Sequence, residues 1–134
     1  MRRIMLMALL VALLGVAACG GATTVTDEDD GSTVTLSVGD ELVVKLEANR
    51  TTPYTLGLGD VPKQLELVSA EYDQDFAFPG QTGVGGNEVW EFTAVKPGNG
   101  TIVVEMHGEF YEEGSDTPTQ GTEPWWSLDV VVGE

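Results

Sequence analysis

From Thr33 onward the apolar residues recur at every second position, a period that suits a half-buried strand and no helix. Val34, Leu36 and Val38 alternate with Thr33, Thr35 and Ser37. Leu42, Val44 and Leu46 alternate with Glu41, Val43, Lys45 and Glu47, and Leu65 and Leu67 do so within 64–72. Trp90, Phe92 and Ala94 share one face, as do Ile102, Val104 and Met106, then Trp126, Leu128, Val130 and Val132. Between these runs stand turn signals: Gly39-Asp40, Pro53, Gly59-Asp60, Pro79-Gly80, Pro97-Gly98-Asn99-Gly100 and Gly114. About six to eight short strands in so short a chain predict an all-β fold, an antiparallel β-sandwich. Its expected core holds Trp90, Phe92, Ile102, Val104, Leu128 and Val130. The alternation alone does not give immunoglobulin-like connectivity, because no Cys-Trp-Cys pattern accompanies it.

Residues 1–18 read differently. Arg2 and Arg3 precede an apolar run from Ile4 to Ala18, shorter than the roughly 18–20 residues a membrane-crossing helix needs. The segment is therefore expected to be an export signal. Val16-Ala17-Ala18-Cys19 resembles the lipobox of bacterial lipoproteins, in which small residues fit the signal peptidase and the thiol takes the lipid. Cys19 is the only cysteine, so lipidation there leaves none for a disulfide, a metal or catalysis. Residues 19–31, which include Asp27-Glu28-Asp29-Asp30, lack apolar periodicity and are expected to form a flexible acidic tether of about 20 Å. The acidic run lacks the ligand spacing of a calcium loop. Residues 32–134 form the expected folded domain, monomeric and held by its lipid to the exported side of a bacterial cell envelope.

Charge narrows the partners. Without its leader the chain carries 22 acids against four bases, Lys45, Arg50, Lys63 and Lys96, a net charge of −18. Phosphate binding needs clustered cations, so nucleic acid is not an expected partner. Direct adsorption to anionic lipid is likewise disfavoured, which leaves the lipid on Cys19 as the membrane contact.

Catalytic residues are sparse. His107 is the only histidine, so no histidine pair or triad can hold a metal. None of Ser32, Ser37, Ser69, Ser115 or Ser127 lies in a nucleophile elbow. The glycines of 83–86 precede a strand rather than a helix, so they do not form a phosphate-binding loop. No enzymatic activity, metal or cofactor is expected.

Two loops remain. Asn49-Arg50-Thr51-Thr52-Pro53-Tyr54 follows one strand, and Gly83-Val84-Gly85-Gly86 precedes another. Either is compatible with an ordinary connection; lying at one end of a sandwich they would form a single surface. The first resembles the Asn-Pro-Thr-Thr-Gly-Tyr loop of the chagasin family of cysteine-peptidase inhibitors, and the second resembles that family's Gly-x-Gly-Gly loop. Asn87-Glu88-Val89-Trp90-Glu91-Phe92 is similar to the strand that follows in the family, and Gly39-Asp40 and Lys96-Pro97-Gly98 match in order. Arg50 stands where the family motif has Pro, and Pro53 where it has Gly. Spacing puts His107-Gly108-Glu109-Phe110-Tyr111 where the family has Arg-Pro-Trp, leaving Tyr111 as the aromatic; Trp125 in Glu123-Pro124-Trp125 is the other candidate.

The resemblance implies an immunoglobulin-like sandwich whose end loops enter the cleft of a papain-like cysteine peptidase without being cut. By position it assigns peptidase contact to Asn49, Thr51, Thr52, Tyr54, Gly83, Val84, Gly85, Gly86 and Tyr111. The alternative is an envelope binding module of the same fold whose loops serve another ligand.

Overall fold

The alternating runs fold into two packed sheets. The computed structural model describes residues 21–76 and 78–134; the export signal and Cys19 lie outside the described residues. Eight strands appear in chain order: β1 Ala22–Val25, β2 Thr33–Ser37, β3 Glu41–Ala48, β4 Thr55–Leu58, β5 Leu65–Gln74, β6 Gly86–Ala94, β7 Gly98–Tyr111 and β8 Pro118–Gly133. One sheet has the order β1-β3-β6-β5 and the other β2-β8-β7-β4. The inner pairings are antiparallel, while β1 joins β3 and β2 joins β8 in parallel at the sheet edges.

The core lies where the alternation puts it. Leu42, Val44, Leu46, Phe92, Ile102, Val104, Leu128 and Val130 are almost fully enclosed between the sheets, joined by Trp90, Trp126 and Val132. At about 25 cal/mol per Å² of apolar surface removed from water, such side chains supply most of the driving force for this fold. Leu67 and Val38 depart from the pattern: Leu67 is exposed, on an edge strand whose register shifts between Leu67 and Ser69, and Val38 is exposed just past the end of β2. β8 begins well before Trp126, the expected start of the last strand. Its first half pairs with the end of β7, running past β4 into a two-stranded tip at 108–111 and 118–121, and contributes nothing to the buried core, so it carries no apolar alternation.

The described part of the expected tether is instead docked on the domain. Ala22–Val25 adds an edge strand to β3, and Val25 enters the core. The acids after it, in a single 3-10 turn at Asp27–Asp29, serve as acceptors for backbone N–H groups. Asp27 accepts from the Glu47 amide at 3.0 Å, Asp29 from Thr26 at 2.8 Å and Asp30 from Ser127 at 2.9 Å. The Trp126 indole donates to the Thr26 carbonyl at 3.1 Å. A segment whose carboxylates meet fixed donors loses its reason to stay solvated.

Apart from 26–32, which crosses from β1 to β2 beside the middle of β3, the connections divide between two ends. At one, 38–40, 59–64 and 95–97 cross between the sheets. At the other lie 49–54, which crosses from β3 to β4, and the two hairpin loops 75–85 and 112–117.

Candidate functional site

Residues 49–54 span the open end of the sandwich and are fastened to both sheets. Asn49 organises the first half of this loop. Its side-chain oxygen accepts from the Thr51 amide at 3.0 Å, and its carbonyl accepts from the Thr52 amide at 3.2 Å and the Thr52 hydroxyl at 2.9 Å. Such Asx and hydroxyl contacts stand in for backbone turn bonds. The Thr52 hydroxyl also accepts from the Tyr54 amide at 3.3 Å. No residue from 49 to 54 has positive φ, so Pro53 fits the turn without strain.

On the β3-β6 side, Arg50 makes a two-pronged ion pair with Glu88 of β6, Nε to Oε1 at 2.6 Å and Nη2 to Oε2 at 2.9 Å. It is the sole ion pair among the described residues. The guanidinium lies over the Tyr72 ring, 4.5 Å from its centre, and the Tyr72 hydroxyl donates to the Ala48 carbonyl at 3.3 Å. Glu88 occupies an inward position of β6 and is only 4% exposed. The hydrogen bond that Arg50 donates to Glu88 is the largest cause raising the Arg50 pKa, and their charge attraction adds to it against the opposing effect of desolvation. Any stabilisation tied to that shift is fully present below the ordinary arginine value and is lost only as pH rises beyond it, so the pair's cation persists throughout the working range.

On the β7-β8 side, the Tyr54 hydroxyl donates to the Glu109 carbonyl at 3.0 Å, and its ring packs beside Phe110 with centres 6.0 Å apart. Gly108 makes this possible: a β-carbon there would strike the Tyr54 ring. Gly108 carries no signal in the sequence beyond its place inside a strand, a common mark of close approach.

The second loop meets the first through Asn49, whose side-chain amide donates to the Gly83 carbonyl at 3.1 Å. Gly83 has φ +73°, a conformation glycine adopts freely. Gly86 packs flat on β5, where a β-carbon would collide with the Asp73 carbonyl. Gly85 has room for one, whose nearest neighbour would be the Ala48 carbonyl at 3.6 Å. Val84 is buried, so its side chain offers a partner little surface. The Asp75 amide donates to the Gly85 carbonyl at 2.9 Å and closes the loop's base.

Sequence reasoning passed over Phe76 and Phe78 in this loop. They are 82% and 70% exposed and meet edge to face with ring centres 5.4 Å apart, an apolar pair beside the glycine loop. Tyr111 stands at the end of β7 and is 64% exposed. Trp125, at 52%, sits in the irregularity where Val104 pairs Trp126 and Glu105 pairs Pro124. Six ladder positions, roughly 20 Å of strand, separate it from the Tyr111 tip. His107 is an exposed strand residue whose Nδ1 lies 2.9 Å from the Thr122 hydroxyl. The geometry gathers Asn49, Thr51, Thr52, Tyr54, Gly83, Gly85, Gly86 and Tyr111 at one end and brings no nucleophile and base together there.

Comparison with known proteins converges on one group. Residues 35–122 match the model of the chagasin family peptidase inhibitor I42. The solution structure of amebosin superposes with a TM-score of 0.56 at 25% identity, covering 82% of this chain and 96% of amebosin. The cysteine protease inhibitor EhICP2 from Entamoeba histolytica gives 0.59 at 17% identity, covering 84% of this chain and 96% of that one. Among curated protein sequences none matches.

Proposed function

The chain belongs to the chagasin family of peptidase inhibitors, whose members inhibit cysteine peptidases and are not enzymes, and from that premise we propose that it blocks papain-like cysteine peptidases non-covalently, with residues 49–54 and 83–86 entering the catalytic cleft and Tyr111 bearing on its rim. The observation that carries this reading is the strapping of residues 49–54 to both sheets with Gly83 hydrogen-bonded alongside. A rigid loop loses little conformational freedom on binding, so more of its contact energy appears as affinity. At Gly83, Gly85 and Gly86 the backbone approaches without side chains, and its N–H and C=O groups can pair with a cleft built to hold an extended substrate.

Export and anchoring belong to the same proposal: a monomer held to the bacterial envelope by lipid on Cys19. The order of basic, apolar and small residues ending at Cys19 supports it. Two or more acyl chains hold a protein stably on a membrane where one does not. The inhibitory reading is tested by titrating the folded domain against papain with a fluorogenic peptide substrate. Competitive inhibition with the domain recovered uncut is the expected result. Absence of inhibition at micromolar concentration of folded domain overturns it and leaves the envelope binding module.

A further inference from the structure

Arg50 occupies the place where the family motif has a ring-constrained residue, and a free arginine at that point would leave the loop loose. Its side chain is 55% exposed, yet its tip is fixed on three sides, by both oxygens of Glu88 and by the face of Tyr72. Glu88 faces inward beside Trp90 and Phe92, where an apolar residue of similar size would serve stability as well or better. Stability alone therefore gives no reason for a carboxylate at this position.

The contacts around the pair all lead to the binding loops. Tyr72, which pairs with Glu88 across β5 and β6, holds the Ala48 carbonyl at the point where residues 49–54 begin. Asn49, between Ala48 and Arg50, holds the Gly83 carbonyl of the second loop. The spacing of Thr51 and Thr52 from Gly83–Gly86 thus hangs on a stretch of three residues, each tied down by a neighbouring element. We propose that Arg50 is a positioning residue for inhibition: its ion pair with Glu88 sets the separation of the two binding loops, replacing a local ring constraint with a tertiary one. This rests on the inhibitory reading above. Two expectations follow directly. The guanidinium fork matters beyond its charge, because a lysine ammonium cannot place two parallel N–H bonds on the two oxygens. A proline at 50 makes the pair dispensable, since it fixes φ by itself.

Removing Arg50 alone strands a buried carboxylate and risks the fold, so the decisive variant replaces both partners, Arg50→Met with Glu88→Leu. It is expected to unfold at close to the wild-type temperature while its inhibition constant for papain rises roughly tenfold. Amide exchange at Thr51 and Thr52 is expected to accelerate in the same variant. Arg50→Lys in the wild-type background should lose part of the inhibition, and Arg50→Pro with Glu88→Leu should recover part of what the double variant loses. A double variant with wild-type inhibition and wild-type exchange overturns the proposal, leaving the pair a matter of stability alone. If the wild-type domain inhibits no papain-like peptidase, the inhibitory reading fails separately. Exchange at Thr51 and Thr52 then still decides whether the pair sets the loop.

Discussion

At one end of the sandwich Asp40 is buried, and at the other Glu88. Asp40 accepts from the Ser37 amide at 2.9 Å, three residues back, within a turn that Gly39 closes at φ +96°. The same turn exchanges backbone bonds with Ala94, Gly39 donating to it and Asp40 accepting from it. Among the described residues Glu88 is satisfied only by Arg50, a side chain 38 residues away. One acid closes an end by local backbone chemistry; the other does so through a partner that belongs to the 49–54 loop. The end that only has to stay shut can be built from a tight turn. The end proposed to meet a peptidase holds its loops by tertiary contacts and leaves aromatic side chains in water.

Substitutions can break this contrast or sharpen it. The largest effect is expected between the ends, where the shared core supports both: Phe92→Ala should cost about 3–5 kcal/mol of stability by chemical denaturation, because the ring is almost fully enclosed. Next comes Gly85→Trp, which puts bulk on the binding end. Inhibition is expected to weaken by at least about 100-fold, near 2.7 kcal/mol, with thermal unfolding almost unchanged. Val38→Trp, an exposed site at the opposite end, should alter neither. Equal loss of inhibition from both would erase the distinction between the ends.

Smaller effects separate the two kinds of turn. Thr52→Val removes the hydroxyl that bridges Asn49 and Tyr54, and should raise the inhibition constant about five- to thirty-fold, roughly 1–2 kcal/mol, with little change in unfolding temperature. Asp40→Ala should do the reverse, lowering stability by about 1–2 kcal/mol through the orphaned Ser37 amide while inhibition stays at the wild-type value. The smallest effect is expected from Pro53→Gly, which restores the family residue in a turn that needs no positive φ. Its inhibition constant should stay within about twofold of wild type or improve slightly. A large change would mean that the loop adopts another conformation when bound.

The contrast also explains what the sequence disclosed. Two-residue periodicity announces Leu42, Val44, Phe92, Ile102 and Leu128 as core because each strand's inward face is written in consecutive residues. Gly39-Asp40 is legible for the same reason. The ion pair of Arg50 with Glu88 is not, since nothing local marks a cation and an acid in separate strands as partners. β1 has no legible signal because four residues with a single buried valine show no period, and the acids after it, Asp27 and Asp30, find their donors far along the chain on Glu47 and Ser127. Gly108 was unreadable until Tyr54 was seen against it. Phe76 and Phe78 lie in a loop, where alternation says nothing about exposure.

The parallel pairing of β1 with β3 fixes a direction. β3 runs from Glu41 toward the binding loops, and Ala22 pairs with Glu41, so the chain enters the sandwich at its far end. With Cys19 as the attachment point, Gly20 and Gly21 alone separate the lipid from that entry, a reach of about 10 Å at full extension. β7, 14 residues long, spans roughly 45 Å from the entry end to Tyr111. An acylated protein would therefore carry its 49–54 loop at the end of the domain away from the attachment point. If the proposed inhibition and anchoring both hold, the loops would face peptidases arriving from solution rather than those lying flat on the same bilayer.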